Sequence, residues 1–124
     1  MSRWILIGGA GFTGLKIAQD LIDRKIPYSK IVIADLKDAL TKVTLNVTKV
    51  SCDISKNILP QFKEDDIIIH LAARQYHLKI PYRNKLSWFR SVNVTGTKNV
   101  INSCLKYKVK GLVFFSTDMV YGLP

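Results

Sequence analysis

The sequence feature that most restricts the possible fold is a glycine-rich loop between an apolar run and a helical pattern. The loop reads Gly8-Gly9-Ala10-Gly11-Phe12-Thr13-Gly14. It follows the buried-strand pattern of Trp4–Ile7 and precedes residues 13–24, where apolar side chains recur at helical spacing. In such a loop one glycine makes the turn, one lets the backbone approach a pyrophosphate, and one allows close packing of helix and strand. The helix N-terminus adds free amides. The spacing predicts a dinucleotide site; a plain glycine-rich turn is the alternative.

An acidic residue at the end of the next apolar run supports the dinucleotide interpretation. Asp35 closes the run 31–34 and lies 21 residues after Gly14. A carboxylate about 20 residues on accepts hydrogen bonds from the adenosine ribose hydroxyls and repels a 2′-phosphate. The pattern therefore predicts NAD rather than NADP as the cofactor. The nearby Lys37 leaves a 2′-phosphate open as the alternative.

Short apolar runs and helical patterns alternate along the rest of the chain. Further strands are predicted at residues 50–52, 67–69 and 112–115, a long helix at 82–107, and a short helix or loop over 37–48. Alternating strands and helices are typical of a parallel sheet covered by helices on both faces. We therefore expect residues 1–124 to form one α/β domain, a Rossmann-type doubly wound sheet of about five strands in the order 3-2-1-4-5.

Five ordered motifs resemble the extended short-chain dehydrogenase/reductase family, and in particular its NAD-dependent epimerase/dehydratase group. They are the glycine loop, Asp35, Cys52-Asp53-Ile54, His70-Leu71-Ala72-Ala73 and Asn93-Val94-Thr95-Gly96-Thr97. The resemblance implies that Asp53 meets the adenine, that the backbone after His70 lines the dinucleotide, and that Asn93 buttresses the site. The cofactor-binding residues that it implies are Gly8, Gly11, Phe12, Thr13, Gly14, Asp35, Asp53, Ile54, Leu71, Ala72, Ala73, Asn93 and Ser116.

Several of these residues have a purely structural alternative. Asp53 could cap the turn that follows it. His70 ends an apolar strand, where a histidine is more often a satisfied core residue, and we assign it no catalysis. The apolar stripe that includes Trp88 and Val100 fits a core or an interface better than a cofactor site.

The segment after the fifth predicted strand, residues 115–122, resembles the catalytic segment of the same family. By that match Thr117 is the catalytic hydroxyl, Asp118 is an acid as in the sugar dehydratases, and Ser116 lies beside the nicotinamide. Met119 stands where the dehydratases have Glu, and a thioether cannot take up the proton, which argues against dehydratase chemistry. As the alternative, Ser116 and Thr117 cap the end of a strand.

The family's catalytic base, a tyrosine four residues before a lysine, has no match in the sequence. The residues four positions after Tyr28, Tyr76, Tyr82 and Tyr107 are Val, Ile, Leu and Gly, and position 125 lies beyond the chain. We expect a cofactor domain whose base-bearing helix and substrate domain are absent, with no turnover by residues 1–124 alone.

The composition excludes several classes and leaves two alternatives. Cys52 and Cys104 have no metal-ligand spacing, so we expect no metal site, and no apolar run nears the ~18 residues of a membrane helix. An apolar start without a signal cleavage site predicts a cytoplasmic protein. The net charge of +10 allows a non-catalytic polyanion binder, although no RNA-module motif supports it. A hydroxysteroid-dehydrogenase-like enzyme is the other alternative. The favoured partners are a nucleotide-sugar-like small molecule and a second copy of the chain.

Overall fold

The computed structural model describes residues 1–74 and 80–116, and the statements below concern those residues. Five strands form one parallel sheet in the order β3-β2-β1-β4-β5. Their bounds are β1 Trp4–Ile7, β2 Ile31–Asp35, β3 Thr48–Ser51, β4 Ile67–His70 and β5 Gly111–Phe114. The Rossmann-type fold and its predicted strand order are thereby confirmed.

Helices connect the strands. They are α1 Phe12–Asp23, α2 Lys37–Leu40, α3 Lys85–Arg90 and α4 Thr97–Tyr107, with a π-helical segment Ser91–Gly96 between α3 and α4 and 3₁₀ turns at Tyr28–Lys30 and Ile54–Lys56. The long predicted helix thus begins at Lys85 rather than at residue 82. The preceding Asn84 has a left-handed backbone (φ 56°), which cannot continue a helix.

The sheet buries both of its faces, as the uninterrupted apolar runs predict. Alternate residues of the central strands enter two separate core clusters: Ile5 and Ile7 pack on one side, and Leu6 packs on the other. The first cluster includes Val100 and Cys104 of α4, and the second includes Ala18 and Leu21 of α1. This two-sided burial fixes the strand register, because a slip by one residue would exchange the two sets of side chains.

A partly buried ion pair between Arg3 and Asp66 joins β1 to the turn before β4 at the amino-terminal edge of the sheet. Arg3 donates to both carboxylate oxygens of Asp66, at 2.9 and 2.6 Å, and Asp66 also accepts from the backbone N–H of Lys63 at 2.7 Å. Asp66 is almost fully buried, so the guanidinium and the amide supply the hydrogen bonds that water would otherwise make. The turn before β4 is thereby fixed against β1.

Two strands lie a little earlier in the chain than predicted. β3 spans Thr48–Ser51 instead of 50–52, and β5 spans Gly111–Phe114 instead of 112–115. Pairing with the neighbouring strand sets these bounds, since Val32 lies opposite Thr48 and Ile67 lies opposite Gly111. None of the described helices combines the length and apolarity that crossing a bilayer requires.

Candidate functional site

The carboxyl ends of all five strands lie at one edge of the sheet, and the candidate residues follow those ends. Ile7 of β1 is in register with Ala34 of β2 on one side and with His70 of β4 on the other. The chain leaves β1 toward β2, whereas β4 lies on the opposite side of β1. A crevice therefore opens beyond β1, at the switch point where open α/β sheets bind their ligands.

The glycine loop turns tightly against the segment that follows β4. Gly8 has a φ of 80° and donates to the Ala34 carbonyl at 2.8 Å. A Cβ on Gly8 would lie 2.6 Å from the backbone nitrogen of Ala72, and one on Gly14 would overlap the backbone of Gly9. These contacts bring the loop, the first turn of α1 and the segment after β4 into one compact unit.

Gly11 differs from its neighbours because it faces open space. The nearest atom to a Cβ placed there is the Gly8 carbonyl oxygen, 3.8 Å away. Gly11 is the N-cap of α1 without a side-chain cap, and the first helical turn holds no acidic residue. Phe12 and Thr13 are exposed beside it. The first-turn amides and the positive end of the helix dipole are therefore accessible to an anion.

Asp35 lies next to this loop, as the spacing predicted. Its Oδ2 accepts from the backbone N–H of Ala10 at 3.0 Å, and its Oδ1 accepts from the N–H of Leu36 at 2.7 Å. An ionised carboxylate has about four lone-pair positions, so two remain for further donors such as hydroxyl groups. The carboxylate can accept from a ribose while it contacts the loop.

The segment after β4 is held from two sides. Leu71 donates to the Ile7 carbonyl at 2.8 Å, and Ala72 lies against Gly8. Ala73 is exposed, and the Asn93 side chain brackets the next residue: its Oδ1 accepts from Arg74 N–H at 2.7 Å and its Nδ2 donates to the Arg74 carbonyl at 2.9 Å. The long helix thus supports this segment through Asn93.

Asp53 and Ile54 follow β3 at the same edge of the sheet. Asp53 Oδ1 accepts from the backbone N–H of Ser55 at 3.1 Å and from its hydroxyl at 2.6 Å, which is the capping arrangement anticipated as the structural alternative. The Ile54 side chain is buried, and a Cβ on Gly96 would lie 2.5 Å from it. Only the backbone of Ile54 is therefore positioned to contact a ligand.

Of the three residues predicted at the catalytic end of the site, Ser116, Thr117 and Asp118, the structure describes Ser116. Ser116 is exposed and comes just after β5, where Phe115 N–H donates to the His70 carbonyl at 3.1 Å. Ser116 therefore lies at the same sheet edge as the glycine loop. Thr117 and Asp118 lie outside the described residues.

The buried titratable groups near the site are held in their neutral forms. His70 is buried, its Nε2 lies 3.0 Å from the Thr97 hydroxyl, and burial lowers the pKa of its imidazole. Burial, with smaller effects from Asp35 and Asp53, raises the pKa of the Cys52 thiol to about 12. His70 is thus a neutral core residue, and Cys52 is not a nucleophile at neutral pH. Within residues 1–74 and 80–116, no group of three or more His, Cys, Asp or Glu side chains could hold a metal ion.

Arg74 is a site residue that the sequence did not predict. Its guanidinium donates to the Trp88 carbonyl at 2.5 Å and to the Ser91 hydroxyl at 2.8 Å, and it lies 4.6 Å from the centroid of the Trp88 ring. These contacts join the segment after β4 to α3. Arg74 belongs to no motif with a fixed spacing, so no signal in a single sequence marks it.

Comparison with known proteins agrees with this arrangement. The fold and the switch-point loop define a Rossmann-type domain. The profile of the 3-beta hydroxysteroid dehydrogenase/isomerase family matches residues 5–123, so the chain belongs to this family of extended short-chain dehydrogenases/reductases.

Relatives come from both branches that the sequence suggested. The chain is 31% identical to dTDP-D-glucose 4,6-dehydratase of Dictyostelium discoideum, over 98% of this chain and 30% of that protein. It is 32% identical to the decarboxylating sterol-4-alpha-carboxylate 3-dehydrogenase of Saccharomyces cerevisiae, over 91% of this chain and 34% of that protein. UDP-glucose 4-epimerase from Brucella ovis, solved in complex with NAD, has a similar fold: the TM-score is 0.74, at 22% identity, over 100% of this chain and 38% of that one. The chain thus spans about a third of these relatives' lengths.

Proposed function

We propose that this chain is the NAD-binding part of an oxidoreductase that acts on nucleotide sugars. The observation that carries the proposal is the pairing of Asp35 with the glycine loop at the switch point of the sheet, where Ala10 N–H lies 3.0 Å from the carboxylate. The exposed N-terminus of α1 suits the anionic diphosphate of an adenosine diphosphate group, and the carboxylate beside it suits the ribose hydroxyls.

The residues of the chain suggest a division of tasks. The first-turn amides of α1 would bind the pyrophosphate, and the missing side chain at Gly11 would let it approach. Asp35 would accept from the ribose hydroxyls. The backbone of Ala72 and Ala73, supported through Asn93, would line the path toward the nicotinamide. When bound, NAD supplies the hydride acceptor and donor of the reaction.

At the catalytic end, the proposal relies on the family resemblance of residues 115–122. Ser116 would lie beside the nicotinamide, and Thr117 would hydrogen-bond the substrate oxygen that loses or regains a proton. Asp118 would be the nearby acid. A threonine hydroxyl is too weak a base to act without an activating partner, so we expect the 124-residue chain to bind NAD without turning over substrate.

A hydroxysteroid substrate is the second candidate. The family profile over residues 5–123 and the sterol dehydrogenase of yeast favour it, whereas the dehydratase of Dictyostelium favours a nucleotide sugar. Both candidates use the same dinucleotide site, so the cofactor proposal is shared between them.

Isothermal titration calorimetry of the 124-residue chain tests the cofactor proposal. We expect NAD to bind more tightly than NADP, because Asp35 repels a 2′-phosphate, and we expect Gly11→Leu to abolish binding. Gly111→Ala is the matched control, since a Cβ at Gly111 meets no atom within 4 Å and lies far along the chain from the loop. Equal or tighter binding of NADP would contradict the role of Asp35, and unchanged binding by Gly11→Leu would contradict the site.

A further inference from the structure

The Asp35 carboxylate is bound to the protein backbone through both of its oxygens. Oδ2 accepts from Ala10, 25 positions earlier in the chain, and Oδ1 accepts from the adjacent Leu36. Among the described residues, no other side chain accepts a hydrogen bond from the backbone of the glycine loop. Asp35 is therefore part of the structure of the loop itself.

The other anchors of the loop lie at its two ends. Gly8 N–H donates to Ala34 and Gly9 N–H donates to Leu6, while Leu15 N–H donates to Gly11 inside α1. Ala10 lies between these anchors and is surrounded by glycines, which have the largest backbone freedom of any residue. The Ala10 side chain packs against the second core cluster, and the hydrogen bond to Asp35 fixes its backbone N–H in the middle of the loop.

We propose that Asp35 is a positioning residue that holds the glycine-rich loop in its ligand-binding conformation before any ligand is present. The part of the proposal that concerns binding rests on the proposed function. A pre-ordered loop loses less conformational entropy on binding, so Asp35 contributes to pyrophosphate affinity as well as to ribose recognition. Replacing Asp35 to favour NADP would then weaken the binding of every dinucleotide.

Amide hydrogen exchange measured by NMR on the ligand-free 124-residue chain tests the positioning role without any cofactor. In Asp35→Ala we expect the Ala10 amide to exchange at least about tenfold faster, since a hydrogen bond to a charged acceptor is among the stronger ones in proteins. The amide of Ile33, in the core of β2, should exchange as in the wild type. Asp38→Ala is the charge-matched control, because the Asp38 side chain makes none of the described loop contacts.

Asp35→Asn is the second test variant, to be used if Asp35→Ala disturbs the packing of the core. An asparagine has one acceptor oxygen for the two amides of Ala10 and Leu36, so it keeps the size of the side chain and loses half of its acceptor capacity. Faster exchange at Ala10, with Ile33 unchanged, would support the proposal. Unchanged exchange at Ala10 in both Asp35 variants would overturn it.

A ligand without ribose hydroxyls separates the two roles of Asp35. If the carboxylate only recognises the ribose, Asp35→Ala leaves the affinity for 2′,3′-dideoxyadenosine diphosphate unchanged, and the binding part of the proposal is wrong. If the carboxylate also orders the loop, that affinity falls together with the affinity for NAD. A wild-type chain that shows protected Ala10 exchange but binds no NAD would contradict the proposed function and leave the positioning role standing.

Discussion

At the scale of single residues, the glycines of the loop after β1 have different surroundings although the sequence presents them as one motif. A Cβ on Gly14 would overlap the backbone of Gly9, whereas a Cβ on Gly11 would meet only the Gly8 carbonyl oxygen at 3.8 Å. Gly14 therefore serves the packing of α1 against the loop after β1, and Gly11 leaves space for a ligand.

The same substitution at these two positions should have opposite effects. Gly14→Ser should lower the free energy of unfolding by about 1–3 kcal/mol, because the added atoms overpack the contact with Gly9. Gly11→Ser should keep or raise stability, since serine is a favoured N-cap and Gly11 has extended backbone (φ −80°), and it should weaken NAD binding. Urea unfolding and calorimetry on both variants give the measurement. A Gly14→Ser chain with the unfolding free energy of the wild type would contradict the close contact between α1 and Gly9.

His70 makes the stability of the fold depend on pH. Burial lowers its pKa in the folded chain below the ordinary value, so below about pH 6.5 the unfolded chain binds more protons than the folded one. This contribution to stability is complete above that pH and is lost as the pH falls toward the folded pKa. Between about pH 7.5 and 5.5 we expect the wild type to lose more unfolding free energy than a His70→Asn variant does.

Urea unfolding at both pH values gives the contribution of His70 to the pH dependence of the unfolding free energy. His77→Gln is the control for the other histidine of the chain. Parallel losses in the wild type and His70→Asn would show that His70 titrates normally in the folded state.

At the scale of elements, the helical run from α3 to α4 acts as the support of the site. Its π-helical segment includes Asn93, which brackets Arg74, and ends at Gly96, which lies against Ile54. One turn later, Asn99 donates to the Ile54 carbonyl at 2.7 Å. The same helical run therefore contacts the segment after β3 and the segment after β4.

Gly96→Ala should separate this helix from the turn after β3. The new Cβ would lie 2.5 Å from Ile54 Cγ1, so we expect a loss of about 1–3 kcal/mol in unfolding free energy. Gly111→Ala is the matched control, because its Cβ has no atom within 4 Å, and it should stay within about 0.5 kcal/mol of the wild type. Chemical denaturation measures both. Equal stability of the two variants would contradict the close contact.

At the scale of the whole molecule, β5 is one of the two edge strands of the described sheet, and it is exposed. Leu112, Val113, Phe114 and Phe115 each expose between 36% and 52% of their surface, and no charged residue interrupts this run. An uncharged edge with unpaired backbone groups favours pairing with another chain. Leu105 of α4, the helix that precedes β5 in the chain, is also exposed.

We therefore predict that the chain self-associates and that Val113→Lys weakens the association by placing a charge on the edge. The net charge of +10 opposes association, so raising the salt concentration should strengthen it. Sedimentation over a range of concentration and salt gives the measurement, with Gln19→Lys on the exposed part of α1 as the control for added charge. A strict monomer under all conditions would show that this surface is not an interface.

Much of the fold could be predicted because its signals are local. The apolar runs of β1, β2 and β4, the glycine loop and Asp35 each carry a spacing that only a few structures satisfy, and the strand order follows from the handedness of strand-helix-strand units. The exact bounds of β3 and β5 could not be predicted, because their pairing with β2 and β4 sets these bounds from outside the segment.

The sequence by itself determined the class of fold, the switch-point loop and the acidic residue that faces it, because backbone sterics and hydrophobic periodicity act over a few residues. Only the tertiary structure decided that Asp35 also accepts a hydrogen bond from Ala10 and that Arg74 donates one to Trp88 of α3. It also decided that Ile54 faces the core instead of the crevice. These contacts join residues from different segments of the chain. A hydrogen bond or a close approach of that kind depends on how the elements pack, and no local spacing encodes it.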